Sequence, residues 1–218
     1  MSVYSQPELL RRSNIFTTYG LQPDIQALIA SAGMTPDEIA CGAAKLASVQ
    51  TAETHKEQEE AHKRKATLAE KIAWEAAQCE LANLAETVRT LFANHEPVMR
   101  LMTVTSTEAT SDTDLLAQWR VALTSVTHLS PDEQTQLAQA GWPSARLATA
   151  HALVEGYAKA ETDQRVAASA AQAARAMHKA ALKDLEAWYL KARQTTRTVL
   201  HNNDPESLRN LNILLGLE

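Results

Sequence analysis

The stretch from Glu53 to Lys65, ETHKEQEEAHKRK, holds the residue types and spacing in this chain best suited to chemistry. In a helix His55, Glu59 and His62 fall at i, i+4 and i+7 on one face, and Glu59 to His62 has the Glu-x-x-His spacing that carboxylate-bridged metal sites place on a bundle helix. Ligands at i and i+4 converge on a single ion, so His55 or His62 with Glu59 forms a candidate mononuclear zinc or iron site. The competing reading is a solvated helix face. Glu59 to Lys63 and Glu60 to Arg64 are i, i+4 pairs of the favourable orientation, and the run supplies little apolar material to keep a ligand set dry. The solvated face is the preferred reading, with metal binding by His55, Glu59 and His62 as the alternative.

No second constellation competes. The sequence has no glycine-rich phosphate loop, no Gly-x-Ser-x-Gly elbow and no Cys-x-x-Cys. Cys41 and Cys79 lack metal-ligand spacing and are expected to be small buried hydrophobes of alanine-rich helices. His95, His128 and His201 fall at expected helix ends, where an imidazole interacts well with the terminal carbonyls. Trp74, Trp119, Trp142 and Trp188, with Tyr157 and Tyr189, are expected to anchor the core.

The elements that must position these residues are helices. Hydrophobic residues make up 45% of the 218, aromatics only 5%, and there are just 6 glycines and 7 prolines, a composition biased towards helix. A net charge of -5 argues against a nucleic-acid surface. No stretch approaches the ~20 apolar residues that span a bilayer, and the first residues lack the apolar core of a secretory signal. A cytoplasmic location without membrane contact is expected.

An internal repeat organises the chain. LQPDIQALIASAG, from Leu21, aligns with LSPDEQTQLAQAG, from Leu129, at an offset of 108 (129 minus 21), and the offset holds without a gap to ETVRTLFANHEP and QTTRTVLHNNDP. Shared Pro-Asp, Ala-Gly, Thr-x-Arg-Thr and Asn-x-acidic-Pro steps are not effects of alanine content. The expected organisation is a tandem duplication: a first helical repeat over 1–101, a linker rich in Thr, Ser and acidic residues over 102–114, and a second repeat over 115–218.

Each repeat opens with an amphipathic helix, roughly Pro7 to Thr18 and Leu115 to Thr127, and continues with a short one begun by Pro23 or Pro131. Ser130-Pro131-Asp132-Glu133 is a capping box, and Thr35-Pro36-Asp37-Glu38 is another. Gly33 and Gly141 stand where left-handed helix caps are needed. From Pro36 to Asn94 no further proline follows, and from Ser144 to Asn202 there is none; each run holds a lone glycine, Gly42 in the first and Gly156 in the second. An unbroken helix over the first run would extend about 88 Å at 1.5 Å per residue.

Along it Trp74, Ala77, Leu81, Leu84, Val88 and Leu91 alternate spacings of three and four, as do Leu182, Leu185, Tyr189, Ala192, Thr196 and Val199 in the second run. Such seams belong to a coiled coil or bundle. The fold expected is all-α: an elongated helical bundle in which two long helices pack on each other. The weaker alternative folds each long element back near residues 50 to 65. The functional expectation is a non-enzymatic, cytoplasmic scaffold or protein–protein interaction module that self-associates through a long helix face, without a cofactor.

Overall fold

Proline-opened helices closed by glycine recur along the chain, and the computed structural model, described over residues 4–95, 98–99, 112–200 and 205–216, shows what they build. The described residues form helices and no strand. In chain order these are α1 (Gln6–Tyr19), α2 (Pro23–Ala30), α3 (Pro36–Leu91), α4 (Asp112–Ser125) with a 3-10 turn at Val126–His128, α5 (Pro131–Gln139), α6 (Ser144–Leu200) and α7 (Pro205–Leu214). The two long elements are single helices of 56 and 57 residues. Neither folds back, as expected of runs without internal proline. Helix α4 begins at Asp112, inside the stretch expected as linker, while 102–111 lie outside the described residues.

The chain divides into two compact units, one of residues 1–60 and 170–218, the other of 61–169. Each therefore combines the opening of one sequence repeat with the close of the other. Antiparallel pairing of the long helices explains this, because it sets the start of each beside the end of its partner. In the first unit Lys191 Nζ lies 2.9 Å from Glu38 Oε1, and Arg175 pairs with Glu60. In the second, Arg146 Nε lies 2.6 Å from Glu80 Oε1, and Trp142 Nε1 donates to Thr87 Oγ1 at 3.1 Å.

Local punctuation follows the sequence closely. Gly33 has φ 94° and Gly141 φ 92°, the left-handed conformation that glycine adopts without a Cβ penalty. Met34 N donates to Ile29 O, and Trp142 N to Leu137 O, both at 3.1 Å. Gly33 and Gly141 donate to Ala30 O and Ala138 O in turn. These are two Schellman motifs, each sealed by an apolar contact across the cap, and all four apolar side chains are buried. The Ser130 capping box forms in both directions, with Ser130 N donating to Glu133 Oε2 at 2.8 Å. At Thr35 the Glu38 N–H reaches Thr35 Oγ1 at 3.3 Å, but the Glu38 carboxylate turns to Lys191 instead.

The first unit's core gathers Phe16, Ile29, Met34, Ile39, Trp188 and Tyr189. Helix α7 closes it: Tyr189 Oη donates to Leu215 O at 3.3 Å, and Gly216 at φ 65° caps the helix as expected. The second unit's core gathers Leu81, Leu84, Trp119, Leu137, Trp142 and Tyr157. On α6, Ala150, Tyr157, Ala171, His178, Leu185 and Ala192 are buried at intervals that are multiples of seven. The matching register of α3 is buried at Val49, Ala77 and Leu84. Between them stand Lys56, Lys63 and Glu70, all half-buried.

Candidate functional site

The register of α3 decides which members of ETHKEQEEAHKRK face a neighbour. Glu53, Lys56 and Glu60 lie on its packed side and are half-buried, whereas His55 and His62 are exposed. His55 Nδ1 comes to 4.0 Å from Glu59 Oε1, with side chains 47% and 23% exposed. His62 follows His55 by seven residues, a rise of about 10 Å along a helix, far beyond the ~4 Å that two nitrogens on one zinc ion span. The structure thus brings His55 to Glu59 and leaves His62 apart from His55. Among the described residues no group of three or more His, Cys, Asp or Glu side chains is placed to hold a metal ion.

The residues that do converge are Gln6, Glu53, Lys56 and His178, all in the first unit. Glu53 extends from α3 towards α6 and receives Lys56 Nζ at 3.0 Å and Gln6 Nε2 at 2.5 Å. His178, only 6% exposed, places Nε2 3.3 Å from Glu53 Oε2. No hydrogen bond forms between them, and this buried nitrogen has no other hydrogen-bond partner among the described residues. The Lys56 hydrogen bond is the main cause that holds the Glu53 carboxyl below its ordinary 4.5, with His178 and Gln6 adding to it and burial opposing. Three helices, α1, α3 and α6, are tied at this carboxylate. A carboxylate beside an imidazole is the geometry of an oriented general base. Here, however, the carboxylate already accepts from an amide and an ammonium, which makes the cluster a structural junction.

Composition and motif spacing do not reveal this junction. Its signal is the seven-residue register: His178 precedes Leu185 by seven, and Glu53 follows Leu46 by seven. Extending the seams towards the middle of each helix marks both as packed positions.

In the second unit a polar arrangement surrounds Trp142. Arg146 lies over its ring, 3.9 Å from the centroid, while gripping both carboxylate oxygens of Glu80. Two open clefts of about 890 and 430 Å³ flank the ring. On α3 of this unit Leu68 and Ile72 are 59% and 57% exposed. Cys41 and Cys79, expected as buried, are both exposed, because each stands on a face of α3 that no neighbour among the described residues covers, and Cys79 continues this stripe at i+11 from Leu68. The buried side chains Ala77, Leu81 and Leu84 project from the opposite side of the helix.

Among the described residues no helix is long and apolar enough to cross a membrane. Neither the family models, nor the curated proteins, nor the solved structures compared with this chain include a match.

Proposed function

We propose that this chain is a non-enzymatic helical scaffold that acts through protein–protein contact and self-associates along the outer face of α3. The observation that carries this reading is the stripe of Leu68, Ile72 and Cys79. Two large aliphatic side chains one turn apart on a helix exposed to water supply the apolar centre of a helix-in-groove or helix-pair contact. Lys71 edges the stripe with a polar group, as interface rims are edged, and pairs at 3.8 Å with Glu75, which stands within the stripe seven residues after Leu68. The repeated Schellman motifs and the offset of 108 support an origin by tandem duplication, and a cytoplasmic setting accords with two unpaired thiols.

Sedimentation equilibrium tests the reading. Self-association of the native chain, abolished by Leu68→Glu with Ile72→Glu, is the expected result. A native chain that is monomeric at high micromolar concentration, or a dimer indifferent to both substitutions, overturns it. In a Cys41→Ser background, oxidative cross-linking through Cys79 should report the same contact.

A further inference from the structure

The first unit contains a second feature that the scaffold reading does not use. Between the start of α1 and the later part of α6 lies a pocket of about 550 Å³, within the size range of small-molecule sites. Leu9 from α1, Leu182 from α6 and the ring of Tyr4 form its apolar walls, and Gln6, Lys179, Lys183 and Glu186 its polar ones. That ring is held edge-on against Tyr189 at 5.5 Å, with the Arg12 guanidinium 5.0 Å from its centroid.

Charge is distributed unevenly around these walls. Lys179 and Lys183, four residues apart on α6, both line the pocket. Like charges at that spacing repel, and a bound anion would relieve that repulsion. Arg193 adds a further cation 5.9 Å from the Tyr4 ring. Glu186 is the single carboxylate among the lining residues. It lies three residues beyond Lys183 and seven beyond Lys179, so its charge offsets Lys183 more than Lys179 and an acidic head group is favoured at the Lys179 end.

We propose that this pocket binds a small amphipathic monoanion, an aliphatic carboxylate whose tail lies against Leu9, Leu182 and Tyr4 and whose head is held by Lys179 and Lys183. The positive pair gives orientation and the apolar walls give affinity. This site is independent of the self-association face.

Calorimetric titration of the full chain with monomeric octanoate tests it. Saturable binding at one site per chain is expected, weakened about tenfold by Lys179→Glu with Lys183→Glu, given the modest worth of each exposed ion pair. Leu182→Trp, which crowds the apolar wall where the tail would lie, should weaken it further. Octanol should bind measurably more weakly than octanoate. Circular dichroism confirms that each variant is folded, and the exposed lysine pair remains informative if Leu182→Trp is not. Absence of saturable octanoate binding overturns the proposal. So does equal affinity for octanol, indifference to the lysine substitutions, or binding to anionic phospholipid vesicles without binding of the free acid.

Discussion

Gly42 and Gly156 are the lone glycines inside the two long helices, and substitution by alanine should move stability in opposite directions. A Cβ at Gly42 would lie 2.0 Å from Trp188 Cζ2 and 2.3 Å from Cε2 and Cη2, against the ~3.5 Å that carbon atoms require. The indole has little room to yield. Its Nε1 donates to Glu38 O at 3.0 Å, and its ring stands edge-on to Phe16 at 5.7 Å. Overpacking costs about 1–3 kcal/mol and loss of the indole hydrogen bond about 1 kcal/mol. Alanine's higher helix propensity returns about 0.8–1 kcal/mol. Gly42→Ala should therefore destabilise by about 1–3 kcal/mol. Around Gly156 a Cβ meets nothing within 4 Å, so Gly156→Ala should stabilise by about 0.5–1 kcal/mol. Urea unfolding followed by far-ultraviolet circular dichroism reads both. Replacing Trp188 by Leu in the Gly42→Ala background should recover part of the loss, a coupling that two independent sites would not show. If both alanine variants are stabilised alike, the notch that Gly42 provides for Trp188 does not exist as described.

Three further perturbations have defined outcomes. Ser130→Ala removes the capping box of α5 and should cost about 1 kcal/mol in urea unfolding. Gly141→Ala forces a side chain into a backbone with φ 92° and should cost about 1–2 kcal/mol, whereas Gly141→Asn should cost less. Glu53→Gln should change the acid response. A carboxyl held below its ordinary 4.5 contributes stability that is present above that value and lost as pH falls through its lower folded value. The gap between native and Glu53→Gln stability should then be widest near neutrality and shrink as the medium is acidified below that ordinary value; a gap that widens in acid would contradict the assigned role of Glu53.

Short-range chemistry is the most legible part of the sequence. Proline at the first helical position, the serine cap with its glutamate and the glycine after Ala32 or Ala140 act within six residues, so local identity determines their geometry. The continuity of α3 and α6 is equally plain, since no proline interrupts either run. The compact units are not legible, because nothing local records that the long helices pair antiparallel. Gly42 shows the same limit. By composition it is a helix breaker, yet it provides the space for a ring 146 residues away (188 minus 42). His178 stands within an alanine-rich run, where a titratable residue reads as exposed, but its register places it in the packed interior.

Glu53 and Glu161 show how helix packing places and satisfies the same residue type in different ways. They are matched positions in the two repeats, within the shared Ala-Glu-Thr, and Glu161 is only 8% exposed. A carboxylate withdrawn from water requires a cation or donors, and the two are satisfied differently. Glu53 takes Lys56 from its own helix, Gln6 from α1 and proximity to His178. Glu161 takes Arg165 one turn along its own helix. The surrounding sequence differs around a shared packed acid, so the charged run after Glu53 has no counterpart in the alanines after Glu161. His55 and His62 stand on the exposed side of α3, while Glu59 between them is half-buried like Glu53. The acids of this stretch that contacts between helices hold in place are Glu53, two residues before His55, through Gln6, and Glu60, through Arg175.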